Sequence, residues 1–541
     1  MSPVPGAHSA VSSGPAPPGA VPSGAVPSSL PPISIRDAPE LDRGVLREVA
    51  YGRAVQLDPA LCEQLDQRRV EVLAALDGAV AVYGVTTGMG ALSGHRLPVA
   101  EQAAHQRALL LARAVGGAPW LSEPEVRALF AVRLRTFLSG DAGVSAELCQ
   151  ALVGVLGAGR VPAVPRTGVG CAGEIIPLAH AFAPLAGLGS ELVAGAARPS
   201  GAAVHDMGPK EGISLLAGVP GATALALLRA AEARTVAGQL LMVAAGAILA
   251  VGAPRDPYLP ATARGDDVLG LVLGRLRELL ADEPAPRMLQ APVSFRVVGP
   301  VLAQLERAIR RLEAAVDRAL CGVGDSPAYL DGTFVGTAGF HGIDLAAQLD
   351  GLSLALAHAA DVASAQLHRL LDERITGLNR QLATRPGPDA GLIVVHKRAA
   401  AAAHALRRAA QPSVLGPIET SNGQEDVQSF AWEAAEQVRT AVDLVRQVIA
   451  CEALAVHQAL HLRGDLGPAG LASWSREIAA LVPPIDGDRA FGIDVEHLLE
   501  ALAAGALGAP TGYPNLAARS PSSGSAGPDG LPSRSGPGGS A

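Results

Sequence analysis

The chain has 541 residues, of which 49% are apolar but only 3% aromatic. Its core must therefore be assembled from Ala, Leu and Val, which favours close-packed helices over aromatic-rich sheets. Lys and Arg total 43 against 51 Asp and Glu, a net charge of -8 without any long basic run, and this argues against nucleic acid as a partner.

In chain order, residues 1–34 are rich in Pro, Ser, Gly and Ala and contain no Lys or Arg. They lack the basic start of a signal peptide and are expected to form a disordered tail. A Gly/Ser/Pro-rich tail is likewise expected over 513–541. Between them no linker divides the sequence, so residues 35–512 are read as one helical domain. Ser122 followed by Glu125, with Pro124 in the first turn, predicts a capped helix. Val126, Leu129, Phe130, Leu134, Phe137 and Leu138 then recur at helical spacing up to Gly140. Further long helices are predicted over Gly221 to Val251, Arg296 to Leu320, Ile343 to Leu371, Ala399 to Ala410 and Gln428 to Leu462. The fold class is all-α, an elongated bundle of long central helices. Thr235 to Ala253 is uncharged and resembles a membrane span by length. A helix apolar on every side also suits the centre of a large bundle, which is the expectation here, with no membrane as partner.

Five scattered cysteines, Cys62, Cys149, Cys171, Cys321 and Cys451, form no CxxC pair. Neither zinc nor a disulfide framework is expected, and a reducing cytoplasm fits best. His457 and His461 stand at i, i+4, yet no HExxH pattern accompanies them, so no metal is assigned. Tyr83-Gly84-Val85-Thr86-Thr87-Gly88-Met89-Gly90 is a glycine-rich loop able to carry function, but it lacks the ending and context of a phosphate cradle.

A second unusual segment runs Arg166-Thr167-Gly168-Val169-Gly170-Cys171-Ala172-Gly173-Glu174-Ile175-Ile176-Pro177-Leu178-Ala179-His180. Together the two segments resemble the aromatic amino acid lyases, the histidine, phenylalanine and tyrosine ammonia-lyases and related aminomutases. Their usual forms read YGV(T/N)TGFG and GSVGASGDLAPLAH. The order continues with Pro209-Lys210-Glu211-Gly212, Gln290 to Arg296, Phe340-His341-Gly342 and Thr420 to Asp426. The resemblance spans about residues 36 to 510 and implies an ammonia-lyase-like helical fold.

The family's electrophile, 4-methylidene-imidazole-5-one, forms from an inner Ala-Ser-Gly, and the serine hydroxyl is lost to create the methylidene carbon. Here that triad is Cys171-Ala172-Gly173, and alanine has no hydroxyl to lose. No prosthetic group or other cofactor is therefore expected. Cys171 would contribute only a backbone carbonyl to such a ring. Ala217, Val293, Gly339 and Arg113 stand where the resemblance implies asparagine, tyrosine, asparagine and histidine. It also implies that Tyr83 acts as acid or base, that Arg296 pairs with a substrate carboxylate, and that Gln424 and Glu425 line the site, Glu425 as a catalytic candidate.

A divergent enzyme is expected, performing elimination, conjugate addition, isomerisation or cyclisation on a small carboxylate-bearing metabolite. The alternative is a non-catalytic pseudoenzyme or ligand-binding subunit. Conventional ammonia-lyase or aminomutase activity ranks last. The resemblance implies a homotetramer, with a mixed oligomer containing an active paralogue as a variant.

Overall fold

The computed structural model describes residues 30–77, 80–281, 285–416, 418–464 and 467–509. The tail read over 513–541 lies outside these residues, as do positions 1–29 of the N-terminal one. The boundary at 34/35 needs correction: Ile33–Ile35 is a strand paired in parallel with Val55–Leu57. Backbone pairing to a segment twenty residues on, with Ile35 fully buried, overrides the local Pro/Ser composition that suggested a tail.

The fold is all-α and elongated. Five helices form its centre: Pro220–Val251, Val298–Cys321, Ile343–Leu370, Ile393–Ala409 and Ala431–Arg463 pack against one another. Small residues permit the close approach. A Cβ on Gly246 would come within 2.7 Å of Val456 Cγ1, so the Pro220–Val251 and Ala431–Arg463 helices touch almost backbone to side chain. The apolar run falls in a helix long enough to cross a membrane, and 89% of its most apolar window is buried inside the bundle.

The predicted capped helix is Glu123–Phe137, and its capping box forms, Glu125 accepting from Ser122 N–H at 2.9 Å. The helix predicted from Arg296 is broken in two, Val293–Arg296 and Val298–Cys321. Pro300 supplies the reason. It has no N–H for the Arg296 carbonyl and its ring crowds that carbonyl, so a proline is tolerated only in the first turn of a new helix. Among the described residues the strands form only three two-stranded ladders. One of these, Ala328–Leu330 with Thr333–Val335, lies at the edge of the site.

Candidate active site

A cavity of about 540 Å³ opens where segments far apart in sequence converge. Tyr83, Met89 and Gly90 come from the glycine-rich loop, Ala172 and Gly173 from the triad, and Gln424, Glu425 and Asp426 from the loop before the Ala431–Arg463 helix. Ile213, Leu216, Phe334 and Phe340 make the walls apolar. Five of the site residues expected from sequence, Tyr83, Ala172, Gly173, Gln424 and Glu425, thus share one space.

The Tyr83 hydroxyl oxygen accepts the Gly90 N–H at 2.7 Å, which fixes the ring across its own loop. Its proton remains available to the cavity. The loop is braced from behind, Gln106 Nε2 donating to the Gly84 carbonyl at 3.0 Å. Opposite, Glu425 Oε2 accepts the Ala172 N–H at 3.1 Å and the Thr420 hydroxyl at 2.8 Å. Both bonds fall on one carboxylate oxygen, leaving the other to accept from a ligand.

The triad runs through a turn at its glycine. Gly173 has φ +79°, a conformation that costs a residue with a Cβ about 1–2 kcal/mol. Ala172 ends in a methyl, and its N–H is used as an ordinary peptide donor to Glu425. The residues therefore do not fit the family's cyclised group, which needs a hydroxyl at this position. Cys171 lies beside the cavity with its Sγ 3.7 Å from the Gly173 carbonyl. Burial pushes its thiol up to about 11, so it stays protonated near neutrality and is a poor nucleophile.

Arg296 is placed elsewhere: it ends the Val293–Arg296 turn and is not among the cavity-lining residues of this chain. Its Nε is buried without a hydrogen-bond partner. His457 and His461 line a different cavity, and among the described residues no group of three His, Cys, Asp or Glu could hold a metal.

The residues that sequence reasoning passed over are those that hold the site in place. Glu174, next to the triad, reaches forward to cap the Pro220–Val251 helix, accepting from Gly221 N–H at 2.7 Å and Ala222 N–H at 2.5 Å. A carboxylate suits the positive end of a helix. Complete burial pushes its carboxyl up to about 8, against the pull of those N–H groups and of Arg133. Gly221 is needed there because a Cβ would sit 2.2 Å from the Trp432 ring. Arg133, also fully buried, donates to the Ala217 carbonyl in the cavity wall, and burial lowers its guanidinium to about 10. Arg166 donates to Glu436 at 3.0 and 2.9 Å, tying the triad segment to the Ala431–Arg463 helix. The Ala217 carbonyl and the Glu436 carboxylate lie 84 and 270 residues from their arginines, so no local pattern announced these pairs.

Below the cavity wall, Glu211 accepts from Ser145 Oγ at 2.6 Å and Gly208 N–H at 2.8 Å and bonds His205 at 2.8 Å. Burial opposes ionisation of Glu211, but His205, Arg69 and Ser145 together hold its carboxyl down at about 2. A folded-state value below the unfolded one means that the unfolded chain binds more protons as pH falls. Glu211 should therefore contribute its full stabilisation above about pH 4.5 and lose it between there and about pH 2. Urea midpoints measured down this range should fall more steeply for the native chain than for Glu211→Gln. Parallel curves would show that the carboxyl is not held by these partners.

With the geometry in hand, the likeness to known proteins is specific. The sequence profile of the aromatic amino acid lyases matches residues 41–481, and the chain belongs to that family. A histidine ammonia-lyase of Gloeobacter violaceus is 32% identical over 476 residues, covering 84% of this chain and 93% of that protein. One from Streptomyces griseus is 32% identical over 459 residues, covering 81% and 89%. Among solved structures, a tyrosine aminomutase from Streptomyces globisporus superposes with a TM-score of 0.82 at 24% identity, over 88% of this chain and 98% of that one. Ergothionase from Treponema denticola gives a TM-score of 0.83 at 23% identity, over 88% and 99%. These two likenesses establish the shared fold alone.

Proposed function

We propose that this chain is a lyase-family enzyme that works without the methylidene-imidazolone electrophile, with Tyr83 and Glu425 moving protons on a small carboxylate-bearing metabolite. The observation that carries this reading is the methyl group of Ala172, with its N–H bonded to Glu425. Expelling ammonia from an ordinary amino acid means removing a barely acidic β-proton and losing a poor leaving group. Acid–base chemistry alone supplies about 10²- to 10⁴-fold acceleration. That suffices for elimination, conjugate addition, isomerisation or cyclisation only when the substrate carries its own activation, such as a proton beside a carbonyl.

Tyr83, hydrogen-bonded by Gly90 yet keeping its own proton, serves as the acid, and the second oxygen of Glu425 serves as the base. Gln424 offers an amide at the cavity mouth to orient the substrate. Arg296 would pair with the carboxylate, and because it stands outside the cavity of its own chain, that role requires a neighbouring chain to present it. This favours an oligomer, and the family resemblance makes a homotetramer the proposed form. The cytoplasm remains the proposed location.

A second reading, a non-catalytic ligand-binding subunit or a partner to an active paralogue, draws support from the apolar replacements in the cavity. Ala217 lines it where the family resemblance implies asparagine. Conventional deamination, as the names of the histidine ammonia-lyases would suggest, ranks last. The reading is tested by intact mass and ultraviolet absorbance of the purified protein. The unmodified chain mass and no added chromophore are expected. Loss of water from an inner tripeptide, with a new conjugated absorbance, would overturn it.

A further inference from the structure

The hairpin of Ala328–Leu330 and Thr333–Val335 brings one large side chain to the site cavity and holds it still. Its strands pair antiparallel with Tyr329 directly opposite Phe334, so both rings stand on the same face. Phe334 is the one residue of its strand that is not exposed, and it lines the cavity. The two rings meet at 5.2 Å between centroids, tilted by 55°, within the favourable range for an aromatic pair. Tyr329 is buried and is not among the lining residues. It backs Phe334 from outside the cavity.

Tyr329 is fixed in its turn. The Arg68 guanidinium lies 4.6 Å from the centre of its ring and donates to its carbonyl at 2.9 Å. The Tyr329 N–H donates to the Asp141 carbonyl at 2.8 Å. At the base of the hairpin the Thr337 hydroxyl donates to the Asp325 carbonyl at 2.7 Å, and the Thr337 N–H to Ser326 Oγ at 3.2 Å. The Asp325 carboxylate is paired in turn with the buried Lys210. A ring braced in this way cannot yield to a bulkier ligand without breaking contacts, and a wall that does not yield discriminates by size.

We propose that Phe334 sets how large a group the cavity admits, with Tyr329 as the positioning residue behind it. The proposal rests on reading this cavity as the substrate site, and it is independent of the reaction carried out there.

Phenylacetate and 2-naphthylacetate, the same carboxylate on one ring and on two fused rings, are the probes, titrated calorimetrically into the full-length protein. The ratio of their affinities is the readout. Phe334→Ala should shift it about tenfold toward the larger probe, and Phe334→Trp about tenfold toward the smaller. Tyr329→Leu should shift it in the same direction as Phe334→Ala, because the Phe334 ring is then free to back away. Tyr329→Phe keeps the ring pair and should keep the native ratio. A ratio unchanged in both Phe334 variants would overturn the proposal. An equal loss of affinity for both probes in Tyr329→Leu would reduce Tyr329 to support of the fold and overturn its positioning role. Should neither carboxylate bind, benzyl alcohol and 2-naphthalenemethanol replace them. The same shifts with this neutral pair would uphold Phe334 and count against the carboxylate reading, whereas no saturable binding of any of the four would overturn the proposal.

Discussion

Lys210→Met should cost about 3–5 kcal/mol of folding stability, the expected penalty for removing one member of a buried ion pair. Lys210 is wholly buried and donates its Nζ to Asp325, to the Ala142 carbonyl at 2.7 Å and to Ser214 Oγ at 3.0 Å. Methionine keeps the length and the left-handed backbone that Lys210 already adopts at φ +69°, so the change isolates the charge. It would leave the Asp325 carboxylate with only the Ser214 hydroxyl at 3.3 Å, its other oxygen already lacking a partner. The Ala142 carbonyl would also be left without its donor. The positive charge of Arg133 near Asp325 softens this loss without replacing the bonds. Urea unfolding provides the measurement, and Lys210→Met combined with Asp325→Leu should recover much of the loss. A single variant within about 1 kcal/mol of the native chain would contradict the burial described here.

Tyr83→Phe should reduce turnover of the native substrate by about 10²- to 10⁴-fold, the range associated with a lost acid or base, with little change in KM. The ring would still fill its place in the loop, while the Gly90 N–H would lose its acceptor. Arg296→Met should act on the other kinetic constant, mainly raising KM through the loss of a bidentate carboxylate partner. The two variants thus separate proton transfer from binding. Native kinetics in both would remove the proposed roles of Tyr83 and Arg296. A normal kcat in Tyr83→Phe alone would point to Glu425 as sufficient.

Much of the fold was legible in the chain because helix formation is a near-neighbour affair. Ser122, Pro124 and Glu125 announced the start of Glu123–Phe137, and Ala/Leu-rich runs placed four of the five central helices to within about three residues at each end, the fifth starting at Ile393 and not at Ala399. Pro300 was passed over when a continuous helix was predicted from Arg296, although its missing N–H forbids one. The strand at Ile33–Ile35 was not legible, because the residues that pair with it begin only at Val55. A composition window sees none of them.

The candidate site divides along the same line. The sequence alone determined that residue 172 carries a methyl, and that tyrosine, glutamine and glutamate stand in the segments resembling the family's site. Only the tertiary structure decided which of these meet. It brings Glu425 onto the Ala172 amide across 253 residues, leaves Arg296 outside the cavity of its own chain, and seals Lys210 against Asp325 beneath it. The physical reason is range: capping and periodicity act within a turn or two of helix, whereas burial and charge pairing depend on which distant surfaces the packed helices press together.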